Sequence, residues 1–96
     1  MDTREFEAEL LRDGFLDVKT KTVEHDVDLG AHCHAFDTRL LVLEGEATIV
    51  CDGVKRVYRK GEVMVIDRAV AHEERFGQTR FRFMVGLRHG AAGEAA

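Results

Sequence analysis

Short strand-like runs separated by turn residues fill most of this sequence of 96 residues. The chain contains nine glycines and no proline, so glycine must supply most of the turns. Asp52-Gly53 is a strong signal for a two-residue hairpin. Roughly seven or eight short strands at near-regular spacing predict an all-β sandwich or barrel. A strand starts at Phe15, and the later strands are predicted at residues 39–43, 47–51, 54–59, 63–66, 72–76 and 80–87.

The first residues of the chain have the pattern of a short helix instead. Phe6 and Leu10 are four positions apart, with charged residues between them, which is typical of an amphipathic helix. Asp2 or Thr3 can cap its first turn, and Gly14 can end it in the left-handed conformation. We therefore predict one domain over residues 1–96, comprising a helix at 2–13, a β-barrel at 15–88 and a flexible tail at 90–96.

Charge and hydropathy argue against nucleic-acid and membrane partners. The formal net charge of −4 argues against a nucleic-acid partner, which would require a basic surface. The sequence has no apolar run approaching the roughly 18 residues of a membrane span. Its charged N-terminus does not resemble a signal peptide, and its two cysteines are too few for a disulfide scaffold. We therefore expect a cytoplasmic protein with reduced thiols and no membrane or nucleic-acid partner.

Three histidines stand out as candidate metal ligands. His32 and His34 are separated by one residue, so on a strand they share one face and a single divalent ion can bridge them. His72 opens a later predicted strand, after the run that starts at Gly61. Three imidazoles can hold Zn, Fe, Mn, Ni or Cu, and the sequence does not choose among these metals.

With strands and histidines in place, residues 29–86 resemble a small single-domain cupin. The first cupin motif is a glycine, a His-x-His pair, an acidic residue, and a strand ending at a glycine. In this chain it is matched by Gly30, His32, His34, Asp37 and Gly45. The second motif is a glycine, an acidic residue, an apolar strand, a loop and a histidine, matched by Gly61, Glu62, residues 63–66 and His72. The resemblance implies a double-stranded β-helix (jelly-roll) barrel.

The resemblance also implies a metal site with an unusual carboxylate. The position of the metal-binding glutamate of cupins falls on Thr38 in this chain. Asp37 is adjacent, but strand alternation turns it away from His34, so it could reach the metal only through a bulge. Glu74 is the other candidate, because it shares parity with His72. The predicted ligands are His32, His34, His72 and Asp37, with Glu74 as the alternative carboxylate.

The expected function follows from the side chains that share a face with the histidines. They would line an apolar cavity suited to a small-molecule ligand or substrate, and they are Phe36, Leu40, Val42, Met64 and Ile66. For a metal-dependent enzyme, the cupin resemblance implies dioxygenase, isomerase or lyase chemistry. The alternatives are a barrel that binds a small ligand without catalysis and a vestigial barrel without metal.

Two leucines predict that something covers the outer face of the barrel. Leu41 and Leu43 alternate with the inward residues and therefore point outward. Either the N-terminal helix or a second subunit could bury them. Because isologous dimers are the commonest oligomers, we predict a homodimer.

Overall fold

The computed structural model describes residues 1–24, 28–77 and 80–89, with only the backbone of residues 28 and 29. The predicted tail at 90–96 lies outside the described residues. One helix, α1, is followed by eight strands. Their bounds are α1 Thr3–Arg12, β1 Leu16–Val23, β2 Asp28–His32, β3 Phe36–Glu44, β4 Glu46–Cys51, β5 Val54–Arg59, β6 Val63–Ile66, β7 His72–Phe76 and β8 Phe81–His89. Within this part of the chain, no helix combines the length and the apolar character that crossing a bilayer requires.

The strands form two antiparallel four-stranded sheets. One sheet has the order β1-β8-β3-β6 and the other β2-β7-β4-β5. Strands that are distant in the chain are therefore neighbours, as in β1 and β8, and this interleaving is typical of a jelly roll. The prediction of an all-β jelly-roll barrel with a short N-terminal helix is confirmed.

The strand bounds differ from the predicted ones mainly at one end of the barrel. β3 begins at Phe36 rather than at Arg39, and β8 continues to His89 rather than ending at Leu87. Both extensions have one cause, because Phe36 pairs with His89 and Asp37 pairs with Arg88. The sequence alone shows neither extension, since a charged pair carries no alternation signal.

Two turns depend on residues that accept a positive φ. Asp52 and Gly53 have φ values of 52° and 74°, as a two-residue hairpin turn between β4 and β5 requires. Gly45 has a φ of 79°, and a Cβ atom at this position would collide with the carbonyl oxygen of Arg80. Only glycine therefore fits between β3 and β4.

The main core lies between the two sheets. Its buried side chains come from inward positions of β3 to β6 and β8, and they are Leu40, Val42, Ala47, Ile49, Tyr58, Met64, Ile66, Phe81, Phe83 and Val85. Burying a side chain of this size contributes about 1.5–3 kcal/mol relative to leaving it exposed. This core fixes which faces of these strands turn inward.

A second, smaller core covers the outer face of the β1-β8-β3-β6 sheet. Asp2 caps α1 by accepting a hydrogen bond from the backbone N–H of Glu5 at 2.8 Å. The helix buries Phe6 and Leu10 against Phe15 and Leu41, and Leu43 packs at the edge of this group. The outward leucines are thus covered within the chain. The homodimer stays a prediction.

Candidate metal centre

Three histidines and one glutamate converge between the β2-β7 strand pair and the residues that follow β2. His32 is the last residue of β2 and pairs with His72, the first residue of β7. His34 lies beyond the end of β2, so simple alternation along one strand does not account for its position. Glu74 shares the inward parity of His72. The ligand atoms of these four residues all lie within 4.8 Å of one another.

The imidazole rings are in mutual contact. The ring centroids of His32 and His72 are 4.4 Å apart, those of His32 and His34 4.8 Å, and those of His34 and His72 5.1 Å. The planes are inclined by 51° to 68°, so the rings are not stacked on one another. Inclined rings at this spacing allow several ring nitrogens to face a common point.

Backbone carbonyls fix the tautomers of two of these histidines. The Nδ1 atom of His32 is 2.7 Å from the carbonyl oxygen of Gly30. The Nδ1 atom of His72 is 2.9 Å from the carbonyl oxygen of Val70. A carbonyl oxygen can only accept, so each Nδ1 carries the proton and donates it. In the neutral imidazole, each Nε2 then presents a lone pair, which is the arrangement of a metal-ligating histidine.

The Nε2 atom of His72 is the one buried side-chain polar atom without a hydrogen-bond partner among the described residues. His72 is 2% exposed. A buried polar atom without a partner costs about 1–3 kcal/mol, so it calls for an explanation. The Oε1 atom of Glu74 lies 3.5 Å from this nitrogen, and both atoms are acceptors when His72 is neutral. A cation between them would remove the repulsion, so the residues fit a bound metal.

The environment of His34 keeps its imidazole in the form that can coordinate. Burial lowers the pKa of His34 below its ordinary value of 6.5, and positive charge on His32 or His72 would lower it further. The carboxylate of Glu74 opposes this shift. The imidazole ring of His34 stacks on Phe36, with ring centroids 4.7 Å apart and planes inclined by 15°. His34 is thus held neutral and oriented at neutral pH.

Asp37, which the sequence analysis expected as the fourth ligand, lies outside this four-residue cluster. Its carboxylate accepts hydrogen bonds from the guanidinium groups of Arg68 and Arg88, at 2.9 Å and 3.0 Å for the two Nη2 atoms. The register of β3 against β8 is regular from Phe36 to Val42, so no bulge turns Asp37 inward. The structure places Glu74 beside the histidines instead.

The same contacts explain the acidity of Asp37. Hydrogen bonds from the Arg68 side chain, from the Arg68 backbone N–H and from Arg88 hold the pKa of Asp37 far below its ordinary value of 3.8, against the opposing effect of burial. Its charge is therefore balanced by the protein at any pH near neutrality.

A cavity of about 200 Å³ adjoins the cluster, and His34 and Glu74 form part of its wall. The rest of its wall is mainly apolar and includes three of the predicted residues, Phe36, Leu40 and Met64. The other two predicted residues lie elsewhere, since Val42 is in the core and Ile66 lines a separate hollow. Sequence reasoning did not assign the remaining wall residues to the cavity, and these include Lys19, Lys21, Phe76, Phe81 and Phe83.

The two lysines carried a signal in the sequence. Lys19 and Lys21 alternate with Val18, Thr20 and Thr22, and the register pairs them with Val85 and Phe83 on the inward face of β8. They therefore lie on the inward face of the edge strand β1. Their alternation was visible, but the sequence could not show which face of β1 would turn inward.

Comparison with known proteins finds similarity only at the level of three-dimensional structure. No family model matches the sequence. A search of curated proteins also finds no match. The solved structures, by contrast, include 208 chains with significant similarity.

Three of these structures show the extent of the similarity. A conserved protein of unknown function from Streptococcus pyogenes superposes with a TM-score of 0.67 at 17% identity, over 78% of this chain and 65% of that one. A cupin superfamily protein from Desulfitobacterium hafniense gives 0.66 at 20% identity, over 76% and 66%. A predicted oxalate decarboxylase from Thermotoga maritima gives 0.67 at 18% identity, over 85% and 73%.

The present chain thus spans just under two thirds of the length of the first two proteins. At such low identity, the superpositions establish the fold and leave activity open. Together with the two interleaved sheets, they confirm the fold that the sequence motifs implied. The chain has the double-stranded β-helix fold of a small cupin domain.

Proposed function

We propose that this chain binds one divalent transition metal ion through His32, His34, His72 and Glu74, and a small organic molecule in the adjoining cavity. The observation that carries the proposal is the buried Nε2 atom of His72, which lacks a hydrogen-bond partner among the described residues and lies 3.5 Å from the Glu74 carboxylate. Three neutral nitrogens and one carboxylate suit Zn, Fe, Mn, Ni or Cu. When bound, such an ion supplies Lewis acidity toward an oxygen of the ligand.

The residues around the cluster have separable roles. The carbonyls of Gly30 and Val70 hold the tautomers of His32 and His72. The Glu74 carboxylate supplies a negative charge, and with three neutral imidazoles it would leave one positive charge on a divalent ion. Phe36, beside His34, excludes water from one side of the cluster.

The cavity wall favours a ligand with an apolar body and an anionic group. Aromatic and aliphatic side chains form most of the wall and would contact the apolar body. Lys19 is already paired with Asp17 at 3.3 Å. Lys21 has no ion pair within the described part of the chain, so its ammonium group is available to an anion at the cavity wall. A small carboxylic acid with a hydrocarbon or aromatic body fits both features.

Enzymatic turnover is the second candidate function, and the similarity to a predicted oxalate decarboxylase favours it. The mainly apolar wall of this cavity favours a substrate with a hydrocarbon or aromatic body over oxalate, which has none. If the chain is an enzyme, we expect a less polar substrate. Turnover that disappears in a folded His34→Ala variant supports catalysis, whereas tight binding without turnover supports a binding module.

Elemental analysis of the purified, untagged protein tests the metal site. We expect about one transition metal ion per chain in the wild type and in His89→Ala, and none in His34→Ala. His89 is a matched control because it also contacts Phe36, at a centroid distance of 5.6 Å, but is not part of the four-residue cluster. Wild-type protein that remains metal-free after reconstitution contradicts the proposal.

Homodimer formation and a cytoplasmic location without membrane or nucleic-acid partners remain predictions. Size-exclusion chromatography with light scattering tests the first of them. A monomer at micromolar concentration would contradict the dimer and would leave the metal site untouched, since all four proposed ligands belong to one chain.

A further inference from the structure

The loop between β6 and β7, residues 67–71, leads directly into His72. Most of it is exposed, including Asp67, Ala69 and Val70. Apolar burial therefore does little to hold this loop in one conformation. Its position must come from polar contacts with the rest of the barrel.

The loop nevertheless adopts a strained conformation. Ala69 has a φ of 64°, in the left-handed region that residues with a Cβ atom seldom occupy. Such a conformation persists only where surrounding contacts determine it, and it is common next to functional sites. Contacts on both sides of Ala69 must therefore offset the strain.

Two hydrogen bonds connect this loop to the proposed ligands. The backbone N–H of Ala69 donates to the carbonyl oxygen of His34 at 2.7 Å. The carbonyl oxygen of Val70 accepts the Nδ1–H of His72 at 2.9 Å. The loop thus fixes the backbone of one histidine and the tautomer of another.

Asp37 anchors the same loop from the opposite side. Its Oδ1 atom accepts the backbone N–H of Arg68 at 2.8 Å and the Nε–H of the same residue at 3.2 Å. The Oδ2 atom of Asp37 accepts a hydrogen bond from the Nη2 atom of Arg68 at 2.9 Å, and the Asp37 side chain is 8% exposed. Arg68 directly precedes Ala69, so the anchor acts next to the strained residue.

We propose that Asp37 is a positioning residue for the metal site, which it serves by fixing the β6–β7 loop through Arg68. The inference rests on the proposed metal-binding function. Asp37 holds Arg68, the loop then holds Ala69 and Val70 in place, and these two residues set His34 and His72. The carboxylate that the motif placed next to the missing glutamate thus acts on the ligands without touching them.

The test compares Asp37→Asn with the matched variant Asp13→Asn. Asp13 also carries a carboxylate paired with an arginine, at 2.7 Å from Arg39, and its other side-chain partner is Arg12. Both variants therefore break an aspartate–arginine pair, but only Asp37 is bonded to the loop. The probe is Co²⁺ alone, titrated into metal-free protein and followed by its visible absorption.

We expect Asp37→Asn to weaken Co²⁺ binding about 10- to 100-fold, as the loss of a residue that orients metal ligands does. Asp13→Asn should bind Co²⁺ like the wild type. Adding Ala69→Gly to Asp37→Asn should restore part of the affinity, because glycine adopts the left-handed conformation without strain. Because glycine at this position also relieves strain in the fold as a whole, a reference amide is needed to separate loop ordering from a general change in stability.

A second measurement uses metal-free protein and reads the loop directly. In Asp37→Asn, the amide hydrogen of Ala69 should exchange with solvent faster than in the wild type. The amide of Gly61, bonded to the carbonyl of Val42 at 2.9 Å, serves as the reference and should keep its protection. If Asp37→Asn does not fold, Arg68→Gln replaces it, because that variant leaves the ion pair between Asp37 and Arg88 intact.

The outcomes separate the two proposals. Folded Asp37→Asn with wild-type Co²⁺ affinity and unchanged Ala69 exchange overturns the positioning role. Wild-type protein that binds no Co²⁺ contradicts the metal site, and in that case the exchange of Ala69 still decides whether Asp37 orders the loop.

Discussion

Asp37 and Glu74 each follow one of the proposed histidine ligands closely in the sequence, but their surroundings differ in the source of positive charge. Asp37 lies between Arg68 and Arg88, which donate hydrogen bonds to it at 2.8–3.2 Å. Glu74 faces the Nε2 atom of His72 at 3.5 Å, and that nitrogen lacks a hydrogen-bond partner in the described chain. Asp37 has its countercharge in two arginines, whereas no arginine or lysine pairs with Glu74 among the described residues.

This difference separates the ion pairs around Asp37 from the metal site that we propose at Glu74. Buried charges are tolerated when they are paired, and unpaired buried polar atoms are costly. The pairs around Asp37 therefore serve the fold and the β6–β7 loop. Under our proposal, the acceptor atoms of Glu74 and His72 are balanced by a bound cation.

The largest expected effect comes from removing a proposed ligand whose Nε2 atom has no partner. His72→Ala should weaken Co²⁺ binding by more than about 100-fold, since a direct ligand contributes more than the residues that orient it. Metal-free His72→Ala should stay folded, because the change also removes a buried atom without a hydrogen bond. Titration with Co²⁺ and circular dichroism measure the two effects. Undiminished affinity in the folded variant would place the metal elsewhere.

The next effect compares how much each of the two carboxylates contributes to the stability of the metal-free protein. Asp37→Asn should lower the free energy of unfolding by about 2 kcal/mol, because two partly exposed guanidinium groups lose their shared partner. Glu74→Gln should leave it unchanged or raise it, since the new amide N–H can donate to the Nε2 atom of His72. Urea unfolding of metal-free protein measures both. A larger loss in Glu74→Gln than in Asp37→Asn would reverse our interpretation of the two sites.

Lowering the pH should reduce the stability of the fold through protonation of Asp37. The folded-state pKa of Asp37 lies below its ordinary value of 3.8 because of the hydrogen bonds from Arg68 and Arg88. Its carboxylate therefore stabilises the fold fully above about pH 4, and this contribution is lost as the pH falls from there toward the lower folded-state pKa. The urea midpoint of metal-free wild type should drop over this range more than that of Asp37→Asn. Parallel pH profiles would show that Asp37 is not the responsible group.

The smallest expected effect concerns the two cavity lysines, of which one is paired within the described chain and the other is not. Lys19 is paired with Asp17 at 3.3 Å, whereas Lys21 is without an ion pair in the described part of the chain. In metal-free protein, Lys21→Met should weaken binding of 3-phenylpropionate about two- to fivefold, as expected for an exposed charge pair. Lys19→Met should have less effect, and neither change should affect the neutral 3-phenylpropanol. Equal losses for acid and alcohol would show that Lys21 contributes only packing.

Much of the fold was accessible from the sequence because local signals agreed with one another. Glycine turns such as Asp52-Gly53, the alternation of the strands and the amphipathic pattern of Phe6 and Leu10 all indicated the elements now seen. The ends of β3 and β8 escaped prediction. Their extension depends on the pairing of Asp37 with Arg88, residues 51 positions apart in the chain.

The candidate site also has a part that local sequence signals could predict and a part that depends on contacts between distant residues. The convergence of the three histidines could be predicted from their residue type and from their positions in the two motifs. The choice between Asp37 and Glu74 depended on which arginines approach each carboxylate, and that is a property of the folded barrel. Parity turned Asp37 away from His34, and the prediction kept Asp37 as a ligand only through a bulge in β3. The regular register of β3 from Phe36 to Val42 contains no such bulge.

The measurement that tests the contrast most directly is a Zn²⁺ titration of isotope-labelled wild-type protein, followed by nuclear magnetic resonance. One equivalent of Zn²⁺ should shift the side-chain nitrogen signals of His32, His34 and His72 and the carboxyl carbon signal of Glu74. The carboxyl carbon of Asp37 should stay nearly unchanged, because Arg68 and Arg88 already balance its charge. A large shift at Asp37 with none at Glu74, or no shift at the histidines, would contradict the account.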